Sequence, residues 1–498
     1  MSYRIFFLIA CLLKTCSSFS LGLEEKIGQL FVVPVCLEHG QEHLEKVKTL
    51  IKEKHIGGVI FMGGTTSQQR KFLQEVKDEG IPSIISCIDG EWGTGMRMRD
   101  VASLPKNLTL GAIGEMHLLK EFGREVASQC RALGVLVNFS PVVDVNSNPK
   151  NPVIHWRSFG DDPEEVSRRA LAVMEGMMQG GVVPCAKHFP GHGDTATDSH
   201  LSLPRIDKSL KEMQSVELQP FKKLIKRGIP MVMIGHLLFP ALSEEPASLS
   251  KEVIQGLLRE ELGFKGVVVT DALNMQAVKN DRTLEEICLK SLLAGADLLL
   301  ISTTDFEEAN SLIEVEIPDA IERIKKGWLL GEVSEGELDE KLKRVTLLKQ
   351  KRPLPLLPQR NDLKKRLYRQ ALTHCGAPFH PIPNGASIAL FQATENPDLK
   401  RALRLYGSVA VFSLDEISLA SEHEHVIVSV RKRDLPLEIP EHAIVTLFDT
   451  PYSLEMIPKN ISVLVGYEEA FEAKEAAADA LFGKFTPPGK LPIQVSRK

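Results

Sequence analysis

Three kinds of signal are scarce in this sequence of 498 residues, and each scarcity narrows the function. Charge of one sign is scarce. Sixty Lys and Arg against 65 Asp and Glu leave a net charge of −5, with both signs mixed. That balance gives no electrostatic footprint for nucleic acid or an anionic membrane, so neither partner is expected. Cysteine is scarce too: there are eight, with no C-x-x-C pair. Cys36, Cys87 and Cys185 sit in apolar runs, where cysteine behaves as a small core residue. The cysteines therefore show neither a zinc site nor a disulfide framework, and no metal or cofactor is expected. Long hydrophobic runs are also missing. The apolar stretch at 5–13 is too short to span a bilayer. With Arg4 before it and small residues after it, it fits a secretory signal over residues 1–20, cleaved near Ser18 or Ser20. The expectation is an exported chain without a membrane span once mature. A buried N-terminal segment in a cytoplasmic chain is the alternative.

What remains is an ordinary globular composition, 43% apolar and 25% charged, in a chain long enough for two domains. From residue 25 short apolar runs alternate with stretches of helical period. The runs are LFVVPV (30–35), GGVIFM (57–62), PSIISCID (82–89), VLVNFSP (135–141), VVPCAKHF (182–189), MVMIGH (231–236), GVVVTDA (266–272) and DLLLIS (297–302). Continuous Val/Ile-rich runs suit strands buried on both faces of a parallel sheet. Between them lie amphipathic segments such as 251–264, with Val253, Ile254, Leu257, Leu258 and Leu262 on one face. Eight such alternations predict a (β/α)8 TIM barrel over residues 21–349. Five runs end in polar residues: Asp89, Asn138, Lys187 with His188, His236, and Asp271. In a barrel these ends converge on one face, where active sites form. A Pro-rich, charged stretch at 350–362 reads as a linker. Five further apolar runs after it predict a smaller α/β sandwich domain over 363–498.

The densest chemistry is AKHFPGHGDTATDSH (186–200). Lys187 and His188 end a strand, and Gly191 and Gly193 permit sharp turns. Asp198 and His200 lie two apart, so a carboxylate could fix one imidazole nitrogen and leave the other for proton transfer. Three other readings compete: metal ligation by His188, His192 and Asp194, a satisfied structural loop, or a loop that binds substrate without chemistry. Asp271, at the end of VVVTDA, could face the same mouth or cap the next helix.

KHFPGHGDTATDSH resembles the signature of family 3 glycoside hydrolases, in the β-N-acetylglucosaminidase branch that carries an Asp–His acid/base pair. Residues 138–163 and 267–278 resemble two further family segments in the family's order, and 476–495 its closing segment. The resemblance implies that Asp271 is the nucleophile, His200 the acid/base and Asp198 its orienting partner. It implies sugar binding by Asp89, Arg97, Arg157, Lys187 and His188. The implied reaction is retaining hydrolysis of a terminal β-linked N-acetylglucosamine through a glycosyl-aspartate, from a saccharide or muropeptide of peptidoglycan. Retaining enzymes usually pair two carboxyl groups, and here a histidine replaces one of them. It starts as an imidazolium and becomes neutral after donating. The chain departs from the family in reading DGEWG at 89–93, where DQEGG is common, and IGH at 234–236, where TAH is common. Trp92 and Thr94 would alter the wall of the site. A phosphorylase on the same scaffold, a metal-dependent barrel hydrolase and a non-catalytic wall-binding protein are the alternatives. Residues 363–498 would then support the fold or shape the cleft, with Glu468 and Glu469 on an exposed helix.

Overall fold

A computed structural model describes residues 21–196, 202–279, 281–350, 362–435 and 437–497. The expected signal segment, most of the expected linker, and Asp198 and His200 lie outside the described residues.

All eight expected runs form strands: β1 (Phe31–Cys36), β2 (Gly58–Met62), β3 (Ile85–Ile88), β4 (Val137–Asn138), β5 (Val183–Phe189), β6 (Met231–Ile234), β7 (Val267–Thr270) and β8 (Leu299–Leu300). Each pairs in parallel with its sequence neighbour, and β1 also pairs with β8 through Phe31↔Leu299 and Val32↔Leu300. A bridge between Val269 and Leu298 closes the ring between β7 and β8. Closure leaves no open edge, which a sheet of short apolar strands would otherwise expose.

The two-residue period of a strand sorts the side chains. Val32, Ile60, Ile85, Cys87, Val183, Cys185, Met231, Met233, Val267, Val269 and Leu300 form one buried cluster inside the barrel. Alternate residues, among them Val33, Val59, Phe61, Val232 and Val268, join the larger cluster beneath the outer helices. The same parity carries past the strand ends. Asp89 follows Ile85 and Cys87, Lys187 follows Val183 and Cys185, and Asp271 follows Val267 and Val269, so all three face the axis at the carboxyl-terminal mouth. The segment expected as a helix at 251–264 is helical over Glu252–Glu261, winds as a π-helix, and buries Val253, Ile254, Leu257 and Leu258.

The second sheet runs β11-β10-β12-β13-β14-β9. The five expected strands are β10 (Ser387–Gln392), β11 (Ser408–Ser413), β12 (His425–Val430), β13 (Ile444–Leu447) and β14 (Ser462–Val465), all parallel. An antiparallel edge strand, β9 (Thr373–Cys375), pairs with β14 and is absent from the sequence reading. Three residues are too few to show a period. Ile388, Leu390, Ile427 and Leu464 pack against the helices Pro397–Leu403 and Phe471–Leu481. Ala389, Phe391, Val428 and Val445 face the opposite layer, which includes Leu414 and Leu454. Among the described residues no helix is long and apolar enough to cross a membrane.

The two sheets' domains are laced together. Asn146 Nδ2 donates to Tyr452 Oη at 2.6 Å, Arg366 pairs with Glu121 at 2.9 Å, and Lys490 N–H donates to Ala112 O at 3.0 Å.

Candidate active site

The barrel's mouth opens into a cavity of about 640 Å³. Asp89, Glu91, Arg97, Arg157, Lys187, His188 and Asp271 line it, so seven side chains from four separate segments meet there.

At its floor is a closed charge network. Lys187 Nζ lies 2.8 Å from Asp89 Oδ1 and 2.9 Å from Glu91 Oε1. Arg97 Nη2 donates to the other Asp89 oxygen at 2.8 Å. Arg157 grips Glu91 with Nη2 at 2.7 Å and Nε at 3.1 Å, a forked contact that fixes the guanidinium plane. Lys187 is 2% exposed and Glu91 is fully buried, so solvent does little to screen these pairs. Burial alone would raise the Glu91 carboxyl, but Arg157 and Lys187 outweigh it and hold it down at about 2. Asp89 behaves alike: burial opposes ionisation, and Lys187 and Arg97 pull its carboxyl well below the usual range. Burial would lower Lys187, yet Asp89 and Glu91 keep it raised. Asn138, at the end of β4, clamps the β3 turn by accepting from Gly90 N–H at 2.8 Å and donating to Gly90 O at 3.0 Å.

A second cluster orients His188. Its Nδ1 lies 2.7 Å from Asp144 Oδ2 and its Nε2 lies 3.2 Å from Arg157 Nη2. A guanidinium only donates, so Nε2 accepts and the ring proton sits on Nδ1, facing Asp144. Asp144 also accepts from the backbone N–H of His188 at 3.2 Å and of His192 at 2.7 Å. Burial would raise this carboxyl, but these partners hold it below its ordinary value. Asp144 thus fixes both the ring and the start of the 186–200 loop. Asp144→Asn should lower kcat/KM on the order of 10²-fold by misplacing the ring and cost about 1–3 kcal/mol by setting an amide donor against these N–H groups, as steady-state kinetics beside a thermal melt would show.

The loop itself is seated by close packing. Gly193 lies so near Val145 that an added Cβ would fall 1.6 Å from its carbonyl oxygen. Gly191 adopts φ 131°, a conformation side chains rarely take. Asn151 donates to His192 O at 2.8 Å and to Thr195 Oγ1 at 3.1 Å. Burial and the neighbouring His188 push the His192 imidazole down to about 4, so it is neutral near pH 7. Asp194 pairs with Lys208 at 2.8 Å. His192 Nδ1 lies 3.0 Å from Thr195 Oγ1, and its ring stands edge-on to His188, with centroids 5.9 Å apart.

Asp271 stands just past β7. Its Oδ1 accepts from Ala272 N–H at 2.9 Å, which turns the carboxylate into the cavity. Burial would raise it, but His188, His236, the Ala272 N–H and Lys187 outweigh that and keep it ionised. His236 braces the same turn, donating from Nε2 to Ala272 O at 2.9 Å while Nδ1 accepts from Ser248 Oγ at 2.8 Å.

Five of the sequence-derived binding residues, Asp89, Arg97, Arg157, Lys187 and His188, therefore meet around Asp271. Glu91 and Asp144 are the residues that sequence reasoning left unassigned. Both stood in segments already singled out, DGEWG and 138–163, but nothing local marks a buried counter-ion. Two expectations need correction. Trp92 and Thr94 do not line the cavity. Lys106 lies between Trp92 and Trp156, its Nζ 5.6 and 5.4 Å from the rings, and Thr94 N–H bonds Gln129. Glu468 is in no exposed helix. It lies before the helix Phe471–Leu481 and accepts from Lys106 N–H at 2.9 Å and Thr109 Oγ1 at 2.5 Å. Burial raises its carboxyl. Glu468→Ala should cost about 1–3 kcal/mol by orphaning those donors, with kcat unchanged, so chemical denaturation and turnover would part company.

An eight-stranded parallel barrel with an ionised carboxylate, paired cations and an oriented imidazole at the carboxyl ends of its strands has the layout of a barrel enzyme. The sequence profile of the glycosyl hydrolase family 3 N-terminal domain matches residues 22–348. The chain belongs to glycosyl hydrolase family 3. It is similar to β-hexosaminidase A of Pseudoalteromonas piscicida, 32% identical over 342 residues, which are 62% of this chain and 55% of that protein. A β-hexosaminidase of Neisseria meningitidis serogroup C is 34% identical over 268 residues, 52% of this chain and 74% of that one. The structure of a family 3 β-N-acetylglucosaminidase from a Paenibacillus species superimposes with a TM-score of 0.79 at 28% identity, over 96% of this chain and all of that one.

Proposed function

We propose that the protein is a retaining β-N-acetylhexosaminidase that releases terminal β-linked N-acetylglucosamine, with peptidoglycan fragments as its source. The observation that carries this reading is Asp271: an ionised carboxylate on the barrel axis, held by one hydrogen bond and facing a cavity floored by fixed cations and anions. In the first step an Asp271 oxygen bonds the anomeric carbon as the bond to the aglycone oxygen breaks, and His200 gives that oxygen its proton. In the second, water attacks the same carbon, His200 takes the water's proton, and Asp271 leaves as a carboxylate. Asp198 steers His200 and stabilises its charged form. Asp89 and Lys187 offer acceptors and a donor to sugar hydroxyls. Similarity to β-hexosaminidases supports the choice of sugar.

The test is incubation with a chromogenic β-N-acetylglucosaminide and with defined muropeptides, in phosphate and in phosphate-free buffer. Free N-acetylglucosamine in both is the expected product. Sugar 1-phosphate in the phosphate arm would replace hydrolysis with phosphorolysis. The segment at 1–20 supports an exported enzyme. Recovery of a chain beginning just after Ser18 or Ser20 from the cell envelope is the matching check.

A further inference from the structure

Away from the sugar cavity, one other group of ligand-type side chains converges among the described residues. Cys36 ends β1, His39 sits in the turn that follows, and His43 lies in the first turn of the helix Gly40–Glu53. One potential ligand atom from each lies within 4.8 Å of the other two. Their spacing, Cys-x2-His-x3-His, contains no C-x-x-C pair.

The hydrogen bonding differs from that of a satisfied polar cluster. His39 Nε2 is 3.2 Å from the Thr304 carbonyl, which can only accept. The ring proton is therefore on Nε2, and Nδ1 presents a lone pair. That Nδ1 is buried and has no partner. A metal-binding imidazole has this arrangement, with one nitrogen's proton tied to a carbonyl and the other nitrogen offered. His43 Nε2 accepts only a long 3.3 Å bond from Cys36 N–H, so its ring proton is on Nδ1, toward the Asn310 side chain, and Nε2 is the nitrogen offered. Cys36 Sγ, 2% exposed, lies 3.2 Å from the Thr303 carbonyl. Buried polar atoms of native proteins are rarely left unpaired, so the orphaned His39 Nδ1, beside a thiol and a weakly held His43 Nε2, asks for an explanation.

We propose that Cys36, His39 and His43 bind a borderline-soft divalent transition metal, with Zn(II) the ion best matched to one thiolate and two imidazoles. The Cys36 thiol gives its proton to solvent as the Sγ–metal bond forms. His43 gives up its long bond from Cys36 N–H, and water completes the tetrahedron. The ion's place is the seam of the barrel. β1 pairs with β8, and Thr303 and Thr304, whose carbonyls hold Cys36 and His39, line the sugar cavity. The metal would clip the loop after β8 to the end of β1 and stiffen that wall. It takes no part in the proposed glycosidic chemistry and does not depend on it.

The full-length protein, stripped by chelator, is titrated with Co(II) and then Zn(II). One equivalent of Co(II) is expected to give tetrahedral d–d absorption with a thiolate-to-metal charge-transfer band, and Zn(II) to bleach both and raise Tm. His39→Ala, at a half-buried position that folding tolerates, should abolish the bands and the Tm shift. Cys36→Ser should remove the charge-transfer band alone. Asp271→Ala should keep every signal. Absence of the charge-transfer band in the folded wild type, or its persistence in Cys36→Ser or His39→Ala, would overturn the site.

Discussion

Asp271→Ala is expected to lower kcat toward a chromogenic β-N-acetylglucosaminide on the order of 10⁴-fold, as when one member of a catalytic set is removed. Tm should change little, because the side chain keeps a single hydrogen bond, from Ala272 N–H. The result becomes diagnostic with azide. Truncation leaves a gap the size of a carboxylate on the face of the sugar that Asp271 attacks. A small anion seated there should restore part of the turnover and yield an α-glycosyl azide. The substituted product carries the nucleophile's address, since a general base lost from that position would give no such adduct. Undiminished hydrolysis by the variant would remove Asp271 from the chemistry.

The largest loss of stability is expected from Lys187→Met. Its ammonium is the shared partner of Asp89 and Glu91, at 2.8 and 2.9 Å, and is almost fully buried. Removing one partner of a buried pair leaves uncompensated charge and costs about 3–5 kcal/mol. For a chain of this size that is roughly 3–5 °C in Tm. The pH dependence has a definite sign. In the wild type both carboxyls are held below their unfolded values, so their contribution is complete above about pH 5 and fades as pH falls through the folded values. In the variant, burial is no longer opposed by Lys187 and at least one carboxyl moves up. The folded state then binds the extra proton, and stability falls as pH rises through the shifted value. The deficit should be larger at pH 8 than at pH 5. Melts at both values measure it, and an equal deficit would mean that the loss is one of packing alone.

Much of this molecule was legible before any coordinates. The eight apolar runs became the eight barrel strands because each is short, continuous and buried on both faces, a pattern few other folds accept. Asp89, Lys187 and Asp271 could be placed at one mouth because a strand's period of two does not depend on what lies beside it. The edge strand β9 was illegible for the converse reason: it has no period and exists only because β14 offers it an edge. Glu468 was misplaced because the preceding residues read as strand and the following ones as helix. Its partners, the Lys106 amide and Thr109, come from the other domain.

The sequence by itself determined the order of the elements, the face on which their ends meet, and the residue types available there, since all three follow from local periodicity and chain connectivity. Only the tertiary structure decided which charges neutralise which. That Glu91 receives both Arg157 and Lys187, that Asp144 selects the tautomer of His188, and that Cys36 meets two imidazoles at the barrel's seam are matters of distances across the fold. Such pairings depend on side-chain reach of a few ångströms between segments far apart in the chain. Hydrophobic patterning carries no information about them.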